Sequence, residues 1–495
     1  MLDPHLLSDW AAPGWLAAAA LATGGIAAMA IRFVGSAPQA VHKRGALVHP
    51  SRRTRPGRRM RRADLDGAPV TLGGVALRPG DEAKHLKLIG TTGTGKTTAI
   101  HELLSRVLAR GDRVVITDPD GGYVRGFHDC YRGDVILNPF ERSSPRWDPF
   151  AELLDPADCD ALARGLIAES DAATGREWRG YARTFLAALL RRCSKCTEQG
   201  ACGEQGAYCV RGVAELWRLL AIAESDEVRR VVAGTAAQPF LDPDNARMFG
   251  SIRSVATSAL AGLEHIARQR ARPFSVRDWV SHGRGVLFLP YRANQIAALR
   301  TLIATWMRLA IFEAMSGPEC VGEDALCPRE RRLWFVVDEL DALGAIDGLK
   351  DALARLRKFG GRCVLAFQSI AQVSSTYGAG EAQTIVENCA NTLILRCAGS
   401  EHGGTSQFAS RLIGEREVLR RQISRSRDRG ALFARQGSRR STQVSEHTVV
   451  EPAVLPSEVE QLPDLQGFLK TASAPQWRRI RLVPSGRRWR STISA

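Results

Sequence analysis

The sequence has little that would support a disulfide-built secreted domain. Its 11 cysteines are an odd number among 495 residues, and seven of them are scattered along the chain. Cys363, Cys389 and Cys397 stand within apolar runs that predict core strands or helices. Small secreted domains instead carry an even, regularly spaced cysteine framework. We therefore expect a reducing, cytosolic environment for the bulk of the chain.

Long apolar runs are almost absent, and the uncharged stretch Gly14–Ile31 stands out. As a helix its 18 residues would span about 27 Å, close to a hydrocarbon core of about 30 Å. Trp10 and Trp15 lie at one end and Arg32 at the other, so the positive-inside rule predicts a cytoplasmic chain after the span. We expect residues 1–35 to form one anchor in the inner membrane. Acids rather than cations precede the run, which disfavours a cleaved signal peptide, whereas a buried Ala-rich helix remains an alternative.

Acidic residues are missing from two segments of the chain. Arg32–Arg62 contains ten Lys/Arg and no acid, and Gln476–Ala495 contains six Arg and no acid. Together with a net charge of +16, this favours a polyanionic partner, either nucleic acid or an anionic membrane face. A solvated basic surface is the plain alternative. The composition predicts a basic linker over residues 36–66 and a basic tail over residues 485–495.

The most specific motif fits G-x-x-x-x-G-K-[ST] at every fixed position. It consists of Gly90, Thr91, Thr92, Gly93, Thr94, Gly95, Lys96 and Thr97, with Thr98 following. A short strand pattern, His85–Ile89, precedes it, and helical spacing of apolar residues follows over Ala99–Ala109. A strand, a glycine-rich loop and a helix in this order form an anion site of backbone N–H groups. Lys96 is then expected at the β- and γ-phosphates of ATP, and Thr97 at Mg²⁺.

A nucleotide hydrolase also needs an acid for the metal and a group that polarises water. The apolar run Leu333–Val337 predicts a buried parallel strand, and Asp338 and Glu339 follow at its carboxyl end. Open α/β sheets place their chemistry at that edge. We assign Asp338 to Mg²⁺ and Glu339 to the attacking water. A strand-end turn or a helix cap is the structural alternative for such a pair.

Two further candidates follow in the chain. Arg357 stands in the last turn of a helical pattern, Ile346–Lys358, where cations commonly complement a helix C-terminus. It could instead be an arginine finger that reaches a neighbouring subunit's nucleotide. Gln368 follows a predicted buried strand, Cys363–Phe367, and could sense the γ-phosphate or cap a turn.

The α/β pattern pauses after Pro149. Residues 151–273 show helical patterns, so we predict a nucleotide-binding domain over 67–150 and 274–484 with an all-α insert between the two parts. The insert contains a cluster of thiols that could bind Zn²⁺ tetrahedrally, although the second pair is loosely spaced and incidental thiols remain an alternative. These thiols are Cys193, Cys196, Cys202 and Cys209.

The ordered series of motifs resembles the type IV secretion coupling proteins, the hexameric DNA-translocating ATPases of conjugation, over roughly residues 67–484. Besides the phosphate loop and Asp338-Glu339-Leu340, the resemblance is carried by short segments along the whole chain. They are Asp118-Pro119-Asp120-Gly121-Gly122, Ile136-Leu137-Asn138-Pro139-Phe140, Arg357-Lys358-Phe359-Gly360-Gly361-Arg362, Gln368-Ser369, Leu455-Pro456-Ser457-Glu458 and Leu462-Pro463-Asp464-Leu465.

The resemblance implies a RecA-like P-loop NTPase domain of α/β class, with an inserted all-α domain and an N-terminal transmembrane helix. It implies a homohexamer with ATP at the subunit interfaces. Lys96, Thr97, Asp338 and Glu339 match the family's ATPase residues, Gln368 its γ-phosphate sensor and Arg357 its arginine finger. Familiar members have two anchoring helices, whereas this sequence predicts one.

The implied partners are DNA bound without sequence preference, a relaxase–DNA complex and the proteins of a type IV secretion channel. Two rival functions remain open at this point. One is a chromosome-partitioning translocase of double-stranded DNA, which usually has several membrane spans and a DNA-reading tail that are not apparent here. The other is a passive membrane receptor that docks the relaxase–DNA complex.

Overall fold

The computed structural model describes residues 41–50, 69–168, 173–195, 211–320, 328, 331–401, 403–427 and 440–484. The predicted anchor, the basic tail and most of the arginine-rich linker lie outside these residues. Within the described ranges, none of the helices combines the length and the apolarity that a membrane crossing requires. The described residues divide into a larger unit and a smaller unit, and the smaller one comprises residues 41–46, 414–427 and 440–453.

The larger unit is built on a ten-stranded sheet. Its strands in spatial order are β2 (Val48–His49), β17 (Trp477–Arg481), β16 (Gln466–Lys470), β13 (Asn391–Ile394), β5 (Leu86–Ile89), β12 (Gly361–Phe367), β11 (Leu333–Val337), β6 (Arg113–Pro119), β10 (Val286–Tyr291) and β7 (Val135–Ile136). The seven strands from β13 to β7 are parallel to one another, whereas β16 pairs with both of its neighbours in antiparallel fashion. Every residue of β5, β11 and β12 is buried, as the apolar run of β11 predicts, and the burial includes Lys87 in β5 and Arg362 in β12.

Helices outside the insert connect and cover these strands. They are α1 (Pro79–Glu82), α2 (Lys96–Ala109), α3 (Gly122–Phe127), α10 (Val276–His282), α11 (Ile296–Ala314), α12 (Leu349–Leu356), α13 (Ile370–Tyr377), α14 (Ala379–Asn388), α15 (Gly404–Ile413) and α16 (Pro456–Glu460). Helix α2 buries Ile100, Leu103, Leu104 and Val107 in the main hydrophobic core. The i, i+3, i+4, i+7 spacing of these residues explains why the segment is a helix with one face on the sheet.

The insert consists of helices between two short paired strands. Its helices are α4 (Pro156–Leu166), α5 (Ala173–Cys193), α6 (Val213–Ala221), α7 (Ser225–Val232), α8 (Ala246–Ala259) and α9 (Ala261–Ala267). The chain leaves at β8 (Arg146–Trp147) and returns at β9 (Pro273–Phe274), which pair in parallel. Buried Glu152 ties the two ends together, because it accepts hydrogen bonds from Trp147 Nε1 at 2.9 Å and Val276 N at 2.7 Å.

The smaller unit is a three-stranded antiparallel sheet. It contains β1 (Val41–Gly45), β14 (Glu415–Arg427) and β15 (Arg440–Pro452), with β14 in the middle. The two long strands have 13 residues each, which corresponds to about 44 Å. Residues 41–49, which composition assigns to a linker, therefore form β1 and β2. Their partner strands lie hundreds of residues away, so local composition could not reveal the pairing.

The cysteines of the core are free thiols, as expected from the sequence. Buried Cys363, Cys389 and Cys397 have no disulfide partner. Cys320 differs from the expected reduced state because it is disulfide-bonded, and its partner lies outside the described residues.

A small hairpin of β3 (Thr71–Leu72) and β4 (Val75–Ala76) completes the strands of the larger unit.

A buried ion cluster supports the amino-terminal edge of the parallel sheet. Arg110 donates to both carboxylate oxygens of Glu82, at 2.9 and 2.8 Å, and its Nε donates to Asp112. Trp334 Nε1 also donates to Asp112, at 2.9 Å, and the Arg362 guanidinium lies 3.5 Å from Glu82. Two acids and two guanidinium groups thus neutralise one another away from water.

Replacing Arg110 by Ala is expected to leave Glu82 and Asp112 buried without their main partner. Loss of one member of a buried ion cluster typically costs about 3–5 kcal/mol. Thermal unfolding of the purified chain measures the loss. Arg191→Ala is the control, because its ion pair with Asp160 is largely exposed and such pairs contribute less than about 1 kcal/mol. Equal melting temperatures for the two variants would show that the cluster adds no stability.

Candidate nucleotide site

The phosphate loop lies between the end of β5 and the start of α2 and is held by neighbouring backbones. Gly90 N donates to Phe367 O at 3.3 Å, and Thr91 N donates to Arg396 O at 2.9 Å. At the other end of the loop, Leu465 N donates to Thr94 O at 2.9 Å. The loop is therefore tied to β12, to the chain after β13 and to the segment before β16.

Gly95 occupies a position that other residues would strain. Its φ is +117°, in the left-handed region, and a Cβ at this position would lie 2.9 Å from Leu465 Cδ2. Glycine satisfies both conditions at once. The next residue, Lys96, begins α2, so the free N–H groups of the first helical turn face the loop.

Lys96 rests on the loop itself. Its Nζ donates to Gly90 O at 2.6 Å and to Thr91 O at 3.1 Å. Burial lowers the pKa of Lys96, while the nearby Asp338 and Glu339 carboxylates oppose this change. A bound phosphate would offer this buried ammonium group a charged acceptor in place of two neutral carbonyls.

The acidic pair lies directly beside the loop. Thr97 Oγ1 donates to Asp338 Oδ2 at 3.4 Å, although the two residues are 241 positions apart in the chain. Burial raises the pKa of Asp338, and the hydrogen bond from Tyr123 and the charge of Lys96 oppose it. The sequence prediction required these places to meet, and the structure brings them together.

Glu339 has a strained backbone at the end of β11. Its φ of 69° and ψ of 73° lie in the left-handed region, which is uncommon for a residue other than glycine. Such strain concentrates at functional sites, where surrounding contacts maintain it. Burial and the neighbouring Asp338 raise the pKa of Glu339, so this carboxylate holds a proton more tightly than an exposed one.

Gln368 connects the acidic pair with the phosphate loop. Its Nε2 donates to Glu339 Oε1 at 2.9 Å, and its Oε1 accepts from Thr92 Oγ1 at 2.8 Å. The side chain follows the last residue of β12, as predicted. One amide thus contacts both the loop and the predicted water-activating carboxylate.

Arg357 lies elsewhere in the subunit. It is exposed in the turn between α12 and β12, at the amino end of a strand whose carboxyl end carries Gln368. Arg357 is instead close enough to affect His85, the residue before β5. Burial lowers the pKa of His85 to about 4, and the positive charge of Arg357 lowers it further. The seven residues of β12 span about 23 Å between these two edges of the sheet, so Arg357 cannot reach the phosphate loop of its own chain. Its predicted role toward a neighbouring subunit stays a prediction.

Three contacts of the site were not predicted. Tyr123 OH donates to Asp338 Oδ2 at 2.7 Å, and Thr117 Oγ1 accepts from Asp338 N at 3.2 Å. Arg396 pairs with Asp464 at 2.7 Å beside the loop's backbone contacts. The Asp118–Gly122 segment that carries the family resemblance could have directed attention to Tyr123. No local pattern marks the other two contacts.

The oxygen atoms of Thr97 and Asp338 suit Mg²⁺, which prefers hydroxyl, carboxylate and phosphate oxygens. The burial that raises the pKa of Asp338 also favours a cation next to it. In the described parts of the chain, this site included, no group of three His, Cys, Asp or Glu side chains is arranged to hold a metal ion. Of the predicted zinc ligands, Cys193 is buried at the end of α5, and the other three lie outside the described residues.

A glycine-rich loop at a helix N-terminus, with an acidic pair at the end of a neighbouring parallel strand, defines a P-loop nucleotide-binding protein. A family model described as the type IV secretion-system coupling protein DNA-binding domain matches residues 69–483. The chain belongs to this family, as the sequence motifs predicted.

Relatives of known name agree with this assignment. Coupling protein TraD of Escherichia coli strain K12 is 29% identical over 427 residues, which is 83% of this chain and 54% of TraD. Conjugal transfer protein TraG of Escherichia coli is 24% identical over 405 residues, or 77% of this chain and 62% of TraG. The chain thus spans about half to three fifths of the length of these relatives.

Solved structures match most of the chain. The bacterial conjugative coupling protein TrwBdeltaN70 in its unbound form has a TM-score of 0.72 and 28% identity, covering 91% of this chain and 95% of TrwBdeltaN70. TrwB in complex with ADP and Mg²⁺ has a TM-score of 0.72 and 27% identity, covering 91% and 96%. The likeness confirms the predicted RecA-like domain with an all-α insert. The N-terminal transmembrane helix stays a prediction.

Proposed function

We propose that this chain is an ATP-driven DNA translocase that couples a relaxase–DNA substrate to a type IV secretion channel. The observation that carries the proposal is the hydrogen-bonded set of Thr97, Asp338, Glu339 and Gln368 around the phosphate loop. A nucleotide-binding protein without hydrolysis would not need a strained carboxylate beside the loop. The complex of the similar TrwB with ADP and Mg²⁺ supports the choice of cofactors.

The chain's own residues divide the work of phosphate binding. The N–H groups of Gly93, Gly95 and the first turn of α2 hold the phosphates, and Lys96 moves from its two carbonyl acceptors to phosphate oxygens. Thr97 and Asp338 are the residues that would hold Mg²⁺, which, when bound, offsets the negative charge of the phosphate oxygens.

Glu339 is the group that orients and deprotonates water. Its hydrogen bond to Gln368 Nε2 fixes one carboxylate oxygen and leaves the other for the water. Because burial and Asp338 raise the pKa of Glu339, the protonated and inactive form persists to higher pH than for an exposed carboxyl group. Hydrolysis is therefore lost as pH falls through this raised pKa.

The substrate is DNA, contacted through its phosphates without sequence preference. The matching family model describes a DNA-binding domain, and the chain carries a net charge of +16. Contacts of cations with phosphates release counterions, so binding weakens steeply with salt.

The assembly is a homohexamer in the inner membrane, anchored once through residues 14–31. The apolar run followed by ten cations supports this location. Arg357 is exposed and lies about one strand length from the phosphate loop of its own chain. This position supports a nucleotide site that is completed by the Arg357 of a neighbouring subunit. Flotation of the chain with lipid vesicles, with and without residues 1–35, tests the anchor; equal flotation would contradict it.

Glu339→Gln is expected to abolish ATP hydrolysis and preserve ATP binding. The amide cannot accept the proton of the attacking water, and loss of a general base typically costs about 10²- to 10⁴-fold in rate. The measurement is DNA-stimulated ATP hydrolysis, together with binding of a fluorescent ATP analogue and conjugative transfer.

Glu381→Gln, an acid-to-amide change in the first turn of α14, is the matched control and should behave as wild type. The transfer assay separates the motor from the passive docking receptor. A receptor would still support transfer with Glu339→Gln, whereas a motor stalls with ATP bound. Undiminished hydrolysis in the variant would remove Glu339 from the mechanism.

Arg357→Ala and Lys96→Ala chains are each expected to be inactive, and a mixture of the two is expected to regain hydrolysis. In mixed assemblies, some interfaces combine an intact Lys96 with an intact Arg357 of the neighbour. Arginine fingers are worth about 10³- to 10⁵-fold in rate, so the recovery is measurable.

In the control, a chain with both Lys96→Ala and Arg357→Ala replaces the Arg357→Ala chain. Mixed with the Lys96→Ala chain, it forms no complete interface, because neither chain has an intact Lys96. No recovery should follow there. If the first mixture also stays inactive after co-purification of differently tagged chains has verified subunit exchange, Arg357 does not act across an interface.

A further inference from the structure

Tyr123 is a buried tyrosine that the steps above do not use. It lies in α3, is 1% exposed, and directs its hydroxyl group at the carboxylate of Asp338. The distance from Tyr123 OH to Asp338 Oδ2 is 2.7 Å, compared with 3.4 Å from Thr97 Oγ1 to the same oxygen. The shortest contact of the metal-orienting carboxylate therefore comes from Tyr123.

The position of the ring is fixed from two sides. The Asp118 carboxylate, at the end of β6, accepts from Tyr123 N at 2.9 Å and from Val124 N at 2.7 Å. The turn between strand and helix uses left-handed backbone at Asp120 and Gly121. On the other side the ring of His101, on α2, packs 5.1 Å from the ring of Tyr123. These contacts hold the phenol before any ligand arrives.

The hydroxyl group of Tyr123 is the donor in this contact, because an ionised carboxylate can only accept a hydrogen bond. Asp338 Oδ2 accepts hydrogen bonds from both Tyr123 OH and Thr97 Oγ1. Among the described residues, no side chain donates a hydrogen bond to Asp338 Oδ1. The carboxylate is thus held through one oxygen, and the other is available for a cation or its water ligands.

We propose that Tyr123 is a positioning residue, because its hydroxyl group fixes the Asp338 carboxylate that would hold Mg²⁺. This inference rests on the proposed function, because it assumes that Asp338 serves the metal of a bound nucleotide. Residues that orient the ligands of a metal typically contribute about 10- to 100-fold to metal affinity. Tyr123 therefore sets the Mg²⁺ requirement of the site, and the affinity of the loop for the phosphates themselves does not depend on it.

The test compares Tyr123→Phe with wild-type protein, using the full detergent-solubilised chain. Phenylalanine keeps the ring against His101 and removes only the hydroxyl group. Binding of a fluorescent ATP analogue is titrated with Mg²⁺, and the same binding is measured in excess EDTA. We expect the Mg²⁺ concentration at half-saturation to rise about 10- to 100-fold, with unchanged binding in EDTA. Saturating Mg²⁺ should restore DNA-stimulated hydrolysis to near the wild-type rate.

Tyr377→Phe is the matched control. Tyr377 is also buried, and its hydroxyl group accepts from Ile346 N at 3.2 Å, away from the phosphate loop. A change in melting temperature shared by both variants reports lost packing, whereas a shift in Mg²⁺ dependence should occur only in Tyr123→Phe. An unchanged Mg²⁺ midpoint, or a loss of binding that persists in EDTA, would overturn the proposal.

The binding titration also separates this proposal from the proposed function. If wild-type protein binds the nucleotide with Mg²⁺ but does not hydrolyse it with DNA, the translocase proposal fails, and the Tyr123→Phe titration still decides the role of Tyr123. If Mg²⁺ leaves nucleotide binding to wild-type protein unchanged while DNA-stimulated hydrolysis proceeds, the proposal for Tyr123 fails and the translocase proposal stands.

Discussion

The register of four neighbouring parallel strands is the constraint on which the site depends. Ile89 at the end of β5 pairs with Phe367 of β12, Leu365 of β12 pairs with Val337 of β11, and Val337 pairs with Thr117 of β6. The residues that follow these strand ends leave the sheet at one edge and at nearly one level. The backbone hydrogen bonds between these strands fix how far each strand extends, and the loop, Gln368 and the acidic pair therefore meet at this edge. The buried ion cluster at the opposite edge supports the same strands and takes no part in the chemistry.

Backbone geometry and side-chain chemistry are closely coupled at this edge. Gly95 is the residue type that tolerates both its positive φ and the approach of Leu465, so the loop and the returning C-terminal segment depend on each other. Glu339 adopts left-handed backbone without the freedom of glycine, and its hydrogen bond with Gln368 maintains it there. The site therefore resists rearrangement before a ligand binds, which would lower the reorganisation that the proposed hydrolysis requires.

Sequence reasoning succeeded where the pattern was local. The motif at residues 90–97, the apolar run Leu333–Val337 and the helical spacing of α2 each define an element within a few residues, and their order implied a shared sheet edge. Sequence reasoning failed where two contacting residues are far apart in the chain. Val41–Gly45 pairs with β14, and Arg396 pairs with Asp464, through contacts that no window of the sequence contains. Tyr123 belongs to this second group, since its importance comes from a hydrogen bond across 215 positions of the chain.

The hydrogen bond from Leu465 N to Thr94 O has a consequence for how the protein is made. During synthesis the ribosome completes the phosphate loop some 370 residues before it reaches Leu465, because the two residues stand at positions 94 and 465. Until Phe367 is made, the nascent loop therefore has none of its three backbone hydrogen bonds to the rest of the chain, and the last of them forms only with Leu465, just before β16. The nucleotide pocket takes its final shape only after Leu465 has emerged, so a translation product that stops before this residue lacks the finished pocket.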